Sequence, residues 1–215
     1  MTKLMADQAG VRQADWVLVT KNSYSHDAEA VCNMVEAHFA YPVFVKPAGT
    51  GSSVGVSKAR NREALVQALE HALTFDRKVL VEEFIDGQEV ECAVLGNETP
   101  VASVCGEIEA GADFYDYEAK NISDSSRLNI PARNSTEIEE TVRETAVKIY
   151  EALSCRGLSR VDFFVKKDGE VVFNEINTIP GFTSISMYPK LFAASGIPYS
   201  QLIDKLLELA TENIG

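Results

Sequence analysis

Val161-Asp-Phe-Phe-Val-Lys-Lys-Asp-Gly-Glu-Val-Val-Phe-Asn-Glu-Ile-Asn177 can be folded on paper. Two apolar-rich runs flank Asp168-Gly169, a dipeptide that tolerates the positive φ angles of a type I′ hairpin turn. A two-residue turn there pairs Lys167 with Glu170, and counting outward sets Asp162 opposite Glu175 and Arg160 opposite Asn177. Strand side chains alternate with period two, so Arg160, Asp162, Glu175 and Asn177 share one face. Directly opposed Cβ atoms lie roughly 4.5–5.5 Å apart, where like charges repel, so something positive belongs between the two carboxylates. Oxygen-only ligands suit a hard cation such as Mg²⁺, which takes a few carboxylates together with substrate phosphates. A solvated charge pair neutralised by Arg160 satisfies the same arithmetic, and the hairpin alone leaves both readings open.

The rest of the composition narrows the class. With 215 residues the chain is long enough for one large domain or two small lobes. Its 46% hydrophobic and 24% charged residues are those of an ordinary globular protein. A net charge of −12 argues against a general nucleic-acid binder but not against a phosphorylated small molecule, whose charge metal ions can neutralise. Cys32, Cys92, Cys105 and Cys155 are scattered, without a CxxC or a neighbouring histidine, and read as reduced, buried thiols in a cytoplasmic protein. His26, His38 and His71 fall in or beside helix-like segments, as structural or surface residues. No apolar run reaches membrane-spanning length, and no repeat or leader pattern is visible.

The periodicity predicts mixed α and β elements. Strands are expected at Trp16–Thr20, Pro42–Lys46, Val79–Phe84, Glu89–Leu95 and Pro100–Glu107. Helices are expected at Asp27–Phe39, from an Asn61 cap to Leu73, at Thr136–Leu153, Met187–Ala194 and Tyr199–Thr211. Ala112–Arg127 lacks clean periodicity and reads as a long loop, a candidate lid. Asp86-Gly87 divides two lobes, 1–85 and 86–215.

Lys46-Pro-Ala-Gly-Thr-Gly-Ser-Ser-Val-Gly55 is neither a Walker A loop nor a dinucleotide fingerprint: no Gly-Lys-Ser/Thr follows, and the third glycine falls one position late. Backbone N–H groups, the Ser52 and Ser53 hydroxyls and a lysine ending an apolar strand remain, and these suit a phosphate. A merely flexible turn is the plainer reading of the loop, but an idle ammonium fits poorly at that strand end.

Taken with that loop, Phe114-Tyr-Asp-Tyr-Glu-Ala-Lys120, Arg160-Val-Asp162, Phe173-Asn-Glu-Ile-Asn-Thr-Ile-Pro-Gly-Phe-Thr183 and Ser186-Met-Tyr-Pro appear in an order that resembles the D-alanine–D-alanine ligases of the ATP-grasp superfamily, from about Trp16 to Leu209. The resemblance implies an α+β ATP-grasp fold, two α/β lobes with nucleotide and Mg²⁺ (or Mn²⁺) between them. It implies ATP-dependent joining of two D-alanines through an acyl phosphate, for peptidoglycan synthesis in the cytoplasm, by a protein that can form homo-oligomers. Carried over residue by residue, it implies nucleotide contacts from Lys46, Ser53, Glu82, Ile85, Glu89 and Lys120, and metal ligation by Asp162, Glu175 and Asn177. Arg160 and the Gly181 N–H would stabilise the tetrahedral oxyanion, and Ser52 would help organise the first substrate. Ser184 and Ser186 would seat the second substrate's carboxylate at a helix N-terminus. Met187 stands where relatives that choose D-serine carry arginine, which favours D-alanine. Without the family, Glu82 and Glu89 read more simply as solvent-facing strand carboxylates.

Two departures from the family pattern strike the first amino-acid site. The ligases carry an N-terminal domain whose glutamate holds the first D-alanine, and Met1 is expected to lie just inside the central domain; Lys3 is close to, but not equated with, a nucleotide lysine of the family. Asn121 follows Lys120 where the family has tyrosine. Two alternatives follow: a nucleotide-binding fragment without ligase turnover, and a ligase for another D-amino or D-hydroxy acid.

Overall fold

The computed structural model describes residues 1–51, 53–109, 127–183 and 185–212; the lid segment expected at Ala112–Arg127 therefore lies outside the described residues, apart from Arg127. The chain separates into two compact units and passes from one to the other between Ile85 and Asp86.

The first unit, residues 14–85, is a four-stranded antiparallel sheet backed by helices. Strands β1 (Trp16–Thr20), β2 (Val43–Pro47), β3 (Ser57–Ala59) and β4 (Lys78–Glu83) stand in the order β1-β4-β2-β3. Helix α2 (Lys21–His26) follows β1 directly, and α3 (Ala28–His38) and α4 (Arg62–Phe75) form the rest of the helical layer. The helices start where side chains satisfy the first free N–H groups: Asp27 Oδ1 accepts from Ala30 N and Asn61 Oδ1 from Ala64 N, each at 2.9 Å. One face of the sheet buries Val19, Val43, Val45, Val79 and Val81 against Val31, Val35, Leu65, Leu69 and Ala72. Alternation sends Phe44, Lys46 and Glu82 to the other face.

The second unit joins residues 86–109 and 127–212 to Met1–Gln13, so the first thirteen residues fall outside the expected 1–85 lobe. The reason is burial: helix α1 (Thr2–Gln8) contributes Ala6, and the following turn Val11, to this unit's core. Strands β5 (Gly87–Gly96), β6 (Val101–Glu109), β7 (Arg127–Asn129), β8 (Gly157–Lys166) and β9 (Val171–Asn177) stand in the order β7-β6-β5-β8-β9, all antiparallel. Val90, Cys92, Val94, Val161 and Phe163 pack on Val142, Ala146, Ile149 and Tyr150 of α5 (Thr136–Ala152). Ala93 and Leu95, on the opposite face, are covered by α6 (Met187–Ala194) and α7 (Tyr199–Thr211). Gly106 permits that approach, since a Cβ there would lie 2.8 Å from Leu191 and 3.1 Å from Met187. The cysteines are free thiols, three buried and Cys155 half-buried.

The decisive hairpin keeps its expected register at the site by a different route. Lys166, not Lys167, faces Glu170 across a three-residue loop, with Gly169 at φ +89° and its N–H donating to Lys166 O at 2.9 Å. Only the glycine takes a positive φ, so Asp168 avoids the left-handed conformation that a type I′ turn demands and instead accepts Glu170 N at 3.1 Å. Pairing then runs Val165↔Val171 to Phe163↔Phe173, one residue off the expected register. A β-bulge beyond Phe163 adds one residue on β9 and restores Asp162↔Glu175 and Arg160↔Asn177. The added residue is Asn174, and it is the bulge that brings the two carboxylates opposite one another.

Gly169→Ala lowers stability by about 1 kcal/mol in urea unfolding, since only a left-handed backbone closes this loop. Asp168→Asn, which keeps the acceptor, changes it by less than about 0.5 kcal/mol. A type I′ turn would instead make position 168 sensitive to a β-branched replacement as well, because both of its central residues take positive φ.

Candidate functional site

In the first unit, Lys46 Nζ lies 2.5 Å from Glu82 Oε2. Glu82 is 3% exposed, so it is not the solvent-facing strand carboxylate that the bare sequence favours. Its partners on the neighbouring strands are Trp16 and Phe44. A buried carboxylate without a counter-charge is costly, and Lys46 supplies one while remaining a quarter exposed. Beyond Lys46 the glycine-rich loop folds back on itself. Thr50 Oγ1 donates to Val54 O at 3.0 Å, and Val56 N donates to Ser53 O at 3.2 Å. Gly55, at φ +73°, has no room for a side chain, since a Cβ would sit 2.6 Å from Phe75 and 2.8 Å from Pro47. Ser53 takes φ +60°, a conformation seldom adopted outside glycine. The loop is therefore a built turn rather than a slack tether. Ser52 lies outside the described residues.

In the second unit the face of β8 and β9 carries the four side chains that the hairpin arithmetic brought together. Arg160 grips Asp162 with two parallel bonds, Nε to Oδ1 and Nη2 to Oδ2, both 2.7 Å. Asn177 Nδ2 donates to Asp162 Oδ2 at 3.1 Å and to Glu175 Oε1 at 3.4 Å. Glu91 on β5 completes the group; it stands opposite Asp162, is 4% exposed, and its Oε2 lies 3.2 Å from Arg160 Nε. Burial pushes the Asp162 carboxyl up from its ordinary value against the pull of the Arg160 guanidinium, and Glu175 and Glu89 add to the rise. Burial opposes the charge on Arg160, yet the bonds to Asp162 and the field of Glu91 and Glu175 raise its pKa further above the ordinary arginine value.

A divalent cation fits the donor set between Asp162 and Glu175, which offers oxygen atoms only: two carboxylates and, once its amide is turned over, the Asn177 carbonyl. N–H donors now point at both carboxylates, doing for the negative charge what a cation would do. Among the described residues no group of three or more His, Cys, Asp or Glu is arranged as a complete metal cage, so phosphate oxygens or water must supply the remaining ligands.

Glu89 shares the Glu91 face two residues earlier on β5 and is half-buried, as is Ile85 just after β4. Gly181 and Ser186 come together at the start of α6: a Cβ on Gly181 would meet Ser186 Oγ at 2.9 Å. Ser186 Oγ accepts Thr183 N at 3.0 Å, closing a turn at the N-terminus of α6. Met187 is buried with Tyr188, Leu191 and Ala93 and is a packing residue in this arrangement. Lys120 and Ser184 lie outside the described residues. Glu91 is the residue that sequence reasoning missed; two acidic residues at strand spacing, Glu89 and Glu91, inside an otherwise apolar strand were the available signal.

Comparison with known proteins returns a consistent set. The family described as D-ala D-ala ligase C-terminus matches residues 5–208. A D-alanine–D-alanine ligase from Acetivibrio thermocellus is 55% identical over 98% of this chain and 56% of its own length. One from Chlorobium limicola is 54% identical over 99% of this chain and 59% of its own. The chain thus spans little more than half the length of the curated relatives it matches. Among solved structures, the VanG D-Ala:D-Ser ligase from Enterococcus faecalis superimposes with TM-score 0.87 at 42% identity, covering 97% of this chain and 60% of that one. The D-alanine–D-alanine ligase from Coxiella burnetii gives 0.83 at 34% identity, over 97% and 55%. These neighbours carry the ATP-grasp fold, and the helices and antiparallel sheets described above form its α+β arrangement.

Arg160→Met removes a guanidinium paired with two buried carboxylates, Asp162 and Glu91. In EDTA it lowers stability by roughly 3 kcal/mol in urea unfolding. A loss below about 0.5 kcal/mol would mean that Asp162 and Glu91 are neutralised by something else.

Proposed function

Because the chain belongs to the D-ala D-ala ligase C-terminus family, we propose that it supplies the nucleotide- and metal-handling part of an ATP-dependent D-alanine–D-alanine ligase. The observation that carries the reading is the convergence of Arg160, Asp162, Glu175 and Asn177 on one open sheet face. Asp162, Glu175 and Asn177 would hold a Mg²⁺ (or Mn²⁺), which when bound would supply positive charge to the phosphoryl oxygens and help orient the transfer.

The remaining steps belong to the chain's own groups. Lys46 gives its ammonium to nucleotide phosphates, with Ser53 and the loop amides beside it and Lys120 as a second cation. Glu82, the Ile85 backbone and Glu89 serve the adenosine. ATP phosphorylates the carboxylate of the first D-alanine and leaves as ADP; the neutral amine of the second attacks the acyl phosphate, expels phosphate and gives up a proton to form the amide. Arg160 and the Gly181 N–H stabilise the oxyanion of that attack, a preorganised arrangement that removes charge without reorganising solvent. The α6 N-terminus, with Ser186 and Ser184, takes the carboxylate of the second substrate. Ser52 helps position the first.

A second acceptor reading is favoured by one observation, the likeness to a D-Ala:D-Ser ligase. Against it stands the buried Met187, which brings no hydrogen-bond donor to a serine hydroxyl.

Calorimetry tests the metal reading. ADP binds the chain much more tightly in Mg²⁺ than in EDTA, and Glu175→Gln weakens binding about ten-fold or more in Mg²⁺ while changing it little in EDTA. Equal affinities for the two proteins in Mg²⁺ would return Glu175 to the role of a surface charge.

A further inference from the structure

Three carboxylates stand in a row across three neighbouring strands. The register sets Glu91 of β5 opposite Asp162 of β8, and Asp162 opposite Glu175 of β9. Like charges directly opposed across a sheet repel, so the row has two gaps that each call for positive charge. Arg160 serves the first: its Nε lies 3.2 Å from Glu91 and 2.7 Å from Asp162. Among the described residues, the second gap, between Asp162 and Glu175, is bridged by the amide of Asn177.

Arg160 and a cation want the same carboxylate. Both Asp162 oxygens now accept an Arg160 N–H. Once Asp162 gives lone pairs to a divalent cation, its hold on the guanidinium weakens, and two positive charges stand close together where little water screens them. Glu91 lies on the other side of Asp162 from the second gap, almost wholly buried and 3.2 Å from Arg160 Nε, so its carboxylate stays beside the guanidinium when Asp162 is engaged.

Resting on the metal reading proposed above, we propose that Glu91 is a positioning residue that holds Arg160 in place when Asp162 turns to the metal. It neither binds the metal nor touches substrate. In the metal-free protein its contribution is masked, because Asp162 already holds Arg160 with two short bonds.

Hydrogen exchange of the Arg160 Nε–H, followed by ¹⁵N NMR of arginine side chains, reads this without requiring turnover. In the wild-type chain the signal stays protected on saturation with Mg²⁺–ADP, a result that needs no variant to fold. Loss of that protection overturns the proposal. In Glu91→Gln, exchange is close to wild type in EDTA and speeds up roughly ten-fold or more in Mg²⁺–ADP. Equal acceleration with and without metal would make Glu91 a plain structural counter-ion and overturn the proposal, and so would no acceleration in either condition. If the wild-type chain shows no Mg²⁺-dependent ADP binding, the metal reading fails and the inference falls with it. If that binding is present and the exchange pattern is wrong, the inference alone fails.

Discussion

One constraint organises the second unit: Glu91, Asp162 and Glu175 lie in register on adjacent strands, and the Arg160 guanidinium stands between the first two. Nothing about a sheet favours this. Opposed carboxylates cost energy, and two of the three sit where water cannot help, at 4% and 2% exposure. The fold tolerates the row because its reverse face is a tight apolar layer, in which Val90, Cys92, Val161 and Phe163 pack on Val142, Ala146 and Ile149 of α5. Arg160 completes the balance on the side facing β5. Towards β9, the edge strand, the row opens: Glu175 is exposed and Asn177 half-exposed, so the unbalanced charge lies where a solute can reach it.

The first unit solves a smaller version of the same problem. Glu82 is buried on a sheet face between Trp16 and Phe44, and Lys46, two positions along β2 from Phe44, reaches it. A lysine held this way is fixed at its root by a strand, and its tip meets a carboxylate. That arrangement suits a group meant to exchange its partner for a phosphate, because an ammonium on a flexible stem reorients at little cost. Gly49 and Gly55 keep the following loop close to the body of the unit, against Asp76 and Phe75.

How much of this was legible in the sequence depended on how local the determining contacts were. The β8–β9 hairpin could be paired from its turn, and the site register came out as counted, although a three-residue loop and a bulge at Asn174 replaced the expected two-residue turn. The period of two fixed which residues share a face, and two one-residue shifts cancelled. The long helices were legible for the same reason: capping residues and apolar stripes lie within their own segments, as with Asn61 and Leu65, Leu69 and Leu73. Glu91 was not legible, because its partner lies about seventy residues away on β8 and no turn fixes that register. Helix α1 escaped notice for want of a side-chain cap, and β3 and β7, at three residues each, are too short for a period. The membership of Met1–Gln13 in the second unit likewise rests on tertiary burial of Ala6 and Val11.

The most direct test of the carboxylate row is a crystal structure of the chain with Mn²⁺ and ADP, with manganese located by its anomalous scattering. The row requires a manganese peak in the gap between Asp162 and Glu175, within roughly 2.0–2.3 Å of an oxygen from each, as hard divalent cations bind. It also requires the Asn177 carbonyl turned towards the peak. Manganese bound to the nucleotide elsewhere, with both Arg160–Asp162 bonds intact and the Asn177 amide still donating to Glu175, would contradict it.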